Sequence, residues 1–134
     1  MPKAKAAKTK QVKILAVEDD FFLIKVLQAK LTQAGFEVKI AADGVIALET
    51  LRGGFRPELI LLDLVMPRKD GFEVLEEMSH EKSFKNIPVI VLSNLGQESD
   101  IDRVKVYGVK RYLIKSDMAI DDVVSLVRTT LNDK

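Results

Sequence analysis

Acidic residues directly follow two apolar segments of this sequence. Asp63 follows the uninterrupted run of residues 59–62, and Glu18, Asp19 and Asp20 follow an earlier apolar stretch. Runs of this length are typical of strands buried on both faces of a parallel sheet. Open α/β sheets place ligand chemistry at the carboxyl ends of their strands. Carboxylates clustered there would repel one another, and a hard divalent cation such as Mg²⁺ removes that repulsion.

Two further polar residues follow apolar segments later in the chain. Ser93 comes after residues 89–92, and Lys115 comes after residues 111–114. A hydroxyl donor and a compact ammonium group both suit phosphate oxygens. With an acid cluster and a nucleophilic carboxylate, they form a set suited to phosphoryl transfer.

Each of these residues also has a simpler interpretation. Asp63 could cap a turn, and Asp20 could cap the helix that begins near residue 21. For Asp20 the cap is favoured. For Asp19 we favour the metal, because capping does not require three consecutive acids.

The sequence predicts alternating strands and helices, and these elements would position the side chains described above. The predicted strands cover 12–17, 36–41, 59–63, 89–92 and 111–114. Three predicted helices cover 21–34, 97–107 and 119–131. A second helix is opened by Asp43-Gly44 and stopped by Gly53-Gly54, and a third starts at Asp70-Gly71 with apolar positions up to Met78. This α/β pattern is (βα)5, which favours a doubly wound parallel sheet covered on both faces. A flavodoxin-like strand order of 2-1-3-4-5 is the economical solution, and its crevice lies between strands 1 and 3.

Composition sets the class of protein. A chain of 134 residues, 47% hydrophobic and 31% charged, fits one globular domain. With no cysteine there is no disulfide, thiolate metal site or cysteine nucleophile. No segment has the roughly 20 apolar residues of a membrane span, and no signal peptide is evident, so we expect a cytoplasmic protein.

The first residues of the chain are basic. Five lysines fall within residues 1–13, and without them residues 14–134 carry a net charge of −4. We expect a disordered basic tail over 1–11 and one domain over 12–134. Such a tail could also touch nucleic acid or an anionic surface.

Several stretches together resemble one family. They are residues 14–20, 57–67, 70–71, 88–93 and 112–115. In this order, they are similar to the motifs of response-regulator receiver domains of two-component signalling, of the single-domain chemotaxis-regulator kind. The resemblance covers about residues 13–131.

The resemblance implies a role for each acid. Asp63 matches the phosphoacceptor, which takes a phosphoryl group from the phosphohistidine of a sensor histidine kinase or His-containing phosphotransfer protein. Asp19 matches the direct Mg²⁺ ligand, and Glu18 acts mainly through metal-bound water. The backbone carbonyl of Val65 matches the third protein ligand.

The resemblance also implies a switch. Ser93 and Lys115 match the switch hydroxyl and the active-site lysine, and Tyr112 matches the switch aromatic. The family's phosphorylation reshapes the surface of helix 4, strand 5 and helix 5. We therefore expect a stand-alone switch that catalyses only its own phosphorylation and dephosphorylation. Its output would be a contact with an unidentified protein target, or onward phosphotransfer to another His-containing protein, rather than DNA binding, because no output domain fits after residue 131.

Two departures from the family pattern lead to expectations. Ser116 stands where the family usually has proline, so we expect a trans bond between Lys115 and Ser116. Val65 and Leu95 are apolar at two places where family side chains influence water access to the acyl phosphate. We therefore expect a long-lived phosphoryl group.

Two alternatives remain at this point. A pseudo-receiver would bind a partner without being phosphorylated. A phosphatase of the haloacid dehalogenase type would also use a strand-end aspartate and Mg²⁺. That chemistry normally needs a second aspartate two residues after the nucleophile, where this chain has Val65.

Overall fold

The computed structural model describes residues 11–133. Five strands alternate with five helices: β1 (Lys13–Val17), α1 (Phe21–Gln33), β2 (Glu37–Ala41), α2 (Gly44–Arg52), β3 (Leu59–Leu62), α3 (Gly71–Ser79), β4 (Val89–Ser93), α4 (Glu98–Lys105), β5 (Arg111–Ile114) and α5 (Ile120–Asn132). A single 3-10 turn, Lys115–Asp117, joins β5 to α5. Of the predicted basic tail, residues 1–10 lie outside the described part of the chain.

The strands form one parallel sheet in the order β2-β1-β3-β4-β5. This confirms the flavodoxin-like fold predicted from the repeated strand and helix signals. Val17 pairs with Leu62, and the amide of Asp63 donates to the carbonyl of Val17 at 3.0 Å. The register therefore brings the ends of β1 and β3 side by side.

Two apolar cores cover the faces of the sheet. Ile60 and Leu62 of β3 pack with residues of α2, α3 and α4, whereas Leu59 and Leu61 pack with residues of α1 and α5. Successive side chains of a strand point to opposite faces, so an uninterrupted apolar run is needed to fill both cores. The run before Asp63 is explained by this burial.

Three aspartates fix the starts of the helices that face the carboxyl edge of the sheet. Asp20, Asp43 and Asp70 are the N-caps of α1, α2 and α3, and each accepts backbone N–H bonds with its side chain. Asp70 forms a capping box with Glu73. These helices therefore begin within one residue of where the sequence predicts them.

The fourth helix is shorter than predicted. It spans Glu98–Lys105 rather than 97–107, because the amides of Tyr107 and Gly108 bond to carbonyls three residues back and tighten the end into a turn. Among residues 11–133, no helix has the length and apolar character needed to cross a membrane.

Candidate functional site

A cleft of about 380 Å³ opens at the carboxyl edge of the sheet. It gathers side chains from the ends of β1, β3, β4 and β5. Its lining residues are Asp19, Asp20, Asp63, Val65, Ser93, Asn94, Leu95 and Lys115. Five strand-end residues that the sequence singled out, Asp19, Asp20, Asp63, Ser93 and Lys115, therefore meet at one place.

Lys115 joins two of the predicted acids. Its ammonium group donates to Glu18 at 2.9 Å and to Asp63 at 3.0 Å. All three side chains are largely buried, with exposed fractions of 16% for Lys115, 3% for Glu18 and 5% for Asp63. The ammonium group therefore offsets part of the repulsion between two buried carboxylates.

The two carboxylate oxygens of Asp63 have different partners. Oδ2 accepts from Lys115, and Oδ1 accepts from the backbone N–H of Val65 at 3.3 Å. The start of α3 packs closely beneath this residue. A Cβ atom on Gly71 would overlap the carbonyl oxygen of Asp63, and the Gly71 amide donates to Leu64 at 3.0 Å. Glycine is therefore required where α3 approaches the strand end.

The three consecutive acids have different surroundings: Glu18 and Asp19 lie in a cluster with Asp63, whereas Asp20 caps α1. Oxygen atoms of Glu18, Asp19 and Asp63 lie within 4.8 Å of one another. Asp20 accepts the N–H groups of Phe22 and Leu23 at 3.0 and 3.1 Å. It therefore has the capping geometry that was favoured for it.

Ser93 and Tyr112 are connected through the peptide groups of Leu95. The hydroxyl oxygen of Ser93 accepts the N–H of Leu95 at 3.2 Å, and the hydroxyl of Tyr112 donates to the Leu95 carbonyl. Ser93 is fully buried, whereas Tyr112 is half-buried and packs against the α2–α3–α4 core. A movement of either side chain would therefore act on the same short segment.

The sequence alone did not identify Leu95 as the link between these residues. Its contacts are made by its backbone, which carries no residue-type signal. The loop after β5 agrees with the sequence: the Lys115–Ser116 bond is trans, as expected without proline. The one-turn helix Lys115–Asp117, which contains this bond, leaves Lys115 within reach of Asp63.

Comparison with known proteins identifies the family. Residues 14–128 match the family model described as the response regulator receiver domain. This chain is a response-regulator receiver domain. The match confirms the family that the strand-end motifs indicated.

Similar proteins occur among curated sequences and solved structures. The DNA-binding dual master transcriptional regulator RpaA of Synechocystis is 32% identical over 89% of this chain and 48% of its own length. Chemotaxis protein CheY4 of Vibrio cholerae is 26% identical, with a TM-score of 0.82 over 90% of this chain and 98% of that chain. The phosphorylated cyanobacterial phytochrome response regulator RcpA is 36% identical, with a TM-score of 0.78 over 90% and 91% of the two chains.

This receiver domain spans less than half the length of the first curated relatives it matches. RpaA is named for DNA binding, and that activity belongs to the longer protein. The expectation of a stand-alone domain that does not bind DNA therefore stays a prediction.

The acidic cluster fits the Mg²⁺ that receiver domains bind. It offers hard oxygen donors from Glu18, Asp19 and Asp63 within 4.8 Å of one another. The cluster has three carboxylates, and the one ammonium group beside it contacts two of them, so two negative charges remain when all four groups are ionised. A divalent cation with oxygen ligands matches both the donor type and this charge.

Burial perturbs the pKa values of Glu18 and Lys115, the two ionisable groups that are hydrogen-bonded beside Asp63. Desolvation and the nearby charge of Asp63 raise the pKa of Glu18 to about 7, against the hydrogen bond from Lys115. Burial alone would lower the pKa of Lys115. Its bonds to Glu18 and Asp63 outweigh burial and hold that pKa above the ordinary value. Lys115 is therefore charged at neutral pH.

The raised pKa of Glu18 predicts how the stability of the metal-free protein depends on pH. Between the ordinary value of 4.5 and about 7, the folded protein binds more protons at Glu18 than the unfolded chain. The contribution of Glu18 to stability therefore falls as the pH rises through this window. We expect Glu18→Gln to lose that fall, measured as melting temperature in chelator from about pH 5 to about pH 8.

The exposed carboxylate of Glu37 provides a matched control. Glu37→Gln should keep the pH profile of the wild type. A Glu18→Gln profile parallel to that of the wild type would contradict the prediction.

Proposed function

We propose that this receiver domain accepts a phosphoryl group on Asp63 from a phosphohistidine of a sensor histidine kinase or a His-containing phosphotransfer protein. The reaction is Mg²⁺-dependent, and it changes a surface of α4, β5 and α5 that contacts a protein target. The observation that carries this proposal is the buried Asp63 carboxylate, held by Lys115 beside an acidic cluster. The similar RcpA is named as a phosphorylated protein.

In the proposed transfer, a carboxylate oxygen of Asp63 attacks the phosphorus atom of the phosphohistidine. An O–P bond forms and the N–P bond breaks, and its electron pair stays with the imidazole nitrogen. Mg²⁺, when bound by Asp19, Asp63, the Val65 carbonyl and, through water, Glu18, supplies positive charge that neutralises the oxygens of the transferring group.

Two side chains of this chain would hold the transferred group. Lys115 already contacts Asp63, so its ammonium group is within reach of an oxygen bonded to that carboxylate. Ser93 uses its hydroxyl oxygen to accept from Leu95, which leaves its proton available for a phosphoryl oxygen. Charge-assisted hydrogen bonds of this kind are stronger than neutral ones.

The switch would follow from the same contact. If the Ser93 oxygen moves toward the phosphoryl group to donate the hydroxyl proton, its hydrogen bond from the N–H of Leu95 changes geometry. The Leu95 carbonyl, which accepts from Tyr112, belongs to the same short segment before α4. A local charge change would thereby bias a larger element, as in other phosphorylation switches.

The proposal includes no enzymatic action on other molecules. Val65, which is apolar, lies two residues after Asp63, where a phosphatase would need a general acid. Catalysis is confined to phosphorylation and dephosphorylation of Asp63 itself. A cytoplasmic location, where a kinase would supply the phosphoryl group, belongs to the same proposal.

The first prediction of this proposal concerns phosphorylation itself. Incubation with acetyl phosphate and Mg²⁺ should add one phosphate to the chain, detected by intact mass. Asp63→Asn should abolish the adduct because it removes the nucleophile, and a chelator should suppress it in the wild type. Asp121→Asn, which changes an exposed acid of α5, should be phosphorylated normally. No adduct on the wild type would favour a pseudo-receiver.

A second prediction concerns the lifetime of the phosphoryl group. Leu95 lines the cleft, and neither it nor Val65 can orient an attacking water. Leu95→Glu would place a carboxylate there and should speed autodephosphorylation by roughly tenfold or more. Leu95→Met should match the wild type. Loss of phosphate after a single round of labelling measures the rate, and a slower or unchanged Leu95→Glu variant would refute the expectation.

A further inference from the structure

The loop between β3 and α3 contains a γ-turn centred on Arg68. The amide of Lys69 donates to the carbonyl of Pro67 at 2.8 Å, which closes a three-residue turn. Arg68 has φ = 67°, and it is the one non-glycine with positive φ among the described residues. A long side chain rarely adopts this backbone conformation, so the surrounding structure must hold it in place.

An ion pair to the start of α2 holds this turn. Arg68 Nε donates to Asp43 Oδ2 at 2.7 Å, while Asp43 Oδ1 accepts the N–H of Ile46 at 2.9 Å. The Asp43 side chain is 8% exposed and that of Arg68 is 56% exposed. The cap and the ion pair hold the pKa of Asp43 below its ordinary value, against the effect of burial. Asp43 is therefore ionised and fixed, and Arg68 is the partner that it restrains.

A second bond ties the other side of the turn to α2. The amide of Gly44 donates to the carbonyl of Lys69 at 3.0 Å. A Cβ on Gly44 would overlap that carbonyl, so the helix start and the loop are in direct contact. The turn is thus attached to the start of α2 at two consecutive residues, Arg68 through its side chain and Lys69 through its carbonyl.

The restrained turn lies only a few residues from the phosphoacceptor. Val65 lies between two restrained parts of the loop. Before it, the carbonyl of Leu64 accepts the amide of Gly71, and two residues after it the turn begins at Pro67. The N–H of Val65 donates to Asp63 Oδ1. Greater mobility of the backbone at Arg68 would therefore displace both the N–H of Val65, which orients Asp63, and the carbonyl of Val65.

We propose that Asp43 and Arg68 are positioning residues for the phosphorylation site, acting as a tether that fixes the peptide groups of Val65. Neither residue lines the cleft. The part concerning the Val65 carbonyl rests on the proposed function, because that carbonyl is a Mg²⁺ ligand only there. The effect on the orientation of Asp63 rests on the bonds described above.

The test compares variants that release the tether in two ways. Asp43→Asn keeps an oxygen to cap α2 and loses the charge that attracts Arg68. Arg68→Gly also removes the ion pair and at the same time relieves the positive φ, so it should stay folded. Each variant should weaken Mg²⁺ binding about tenfold, measured by calorimetric titration with MgCl₂. The double variant should bind no more weakly than either single one, because both remove the same contact.

A control separates positioning from loss of stability. Arg52, at the other end of α2, pairs with Glu77 of α3 and with Glu81. Arg52→Leu removes ion pairs that join α2 to α3 and to Glu81. It leaves the Asp43 to Arg68 pair intact, and Glu77 keeps its own pair with Lys69 of the loop. The substitution should lower the melting temperature and keep the wild-type affinity for Mg²⁺. Unchanged Mg²⁺ affinity in the folded Asp43→Asn and Arg68→Gly variants would overturn the tether.

A metal-free measurement keeps this inference distinct from the proposed function. Backbone order parameters from ¹⁵N relaxation should fall at residues 65–69 in both tether variants and not in Arg52→Leu. Unchanged order parameters would overturn the tether even if Mg²⁺ binds. Failure of the wild type to bind Mg²⁺ would instead overturn the metal-dependent function, and the order parameters would still decide the tether.

Discussion

One ammonium group, held between two buried carboxylates, is the interaction on which this site depends. Lys115, which follows β5, reaches Glu18 after β1 and Asp63 after β3. Burying a carboxylate without a partner costs several kcal/mol, so these acids are tolerated at the sheet edge because Lys115 is there. The pairing is incomplete, because Asp19 adds a third carboxylate. The remaining negative charge suits a divalent cation. With that cation bound, Asp63 could act as a nucleophile within an acidic cleft.

The parallel sheet makes this interaction possible. The pairing of Val17 with Leu62 puts the ends of β1 and β3 in register, and the strand order places β4 and β5 on the other side of β3. Two apolar cores fix the sheet, so the strand ends are rigid supports for groups that need accurate placement. The loop after Asp63 is held in turn by close contacts at Gly44 and Gly71. The same strand register thus buries the apolar side chains in the two cores and places the polar side chains accurately at the carboxyl edge of the sheet.

Features with a local or repetitive signal could be predicted from the sequence. The uninterrupted run before Asp63 indicated a strand buried on both faces, and alternating elements indicated the sheet order. Once that order is known, strand-end residues such as Ser93 and Lys115 must meet at one edge. The contacts of Arg68 and Tyr112 could not be predicted in the same way. The Asp43 to Arg68 ion pair joins exposed and buried side chains of different loops, and Tyr112 bonds to a backbone carbonyl, so neither contact leaves a periodic pattern.

The proposed function requires that Asp63 is the residue that receives the phosphoryl group. The most direct measurement is a crystal structure of this chain with Mg²⁺ and beryllofluoride, a stable mimic of the phosphoryl group. We predict a beryllofluoride adduct on the Asp63 carboxylate, with fluorine atoms within hydrogen-bonding distance of Lys115 and Ser93 and the metal beside Asp19. An adduct on another carboxylate, or an unmodified Asp63 in crystals that hold Mg²⁺ at the site, would contradict the account.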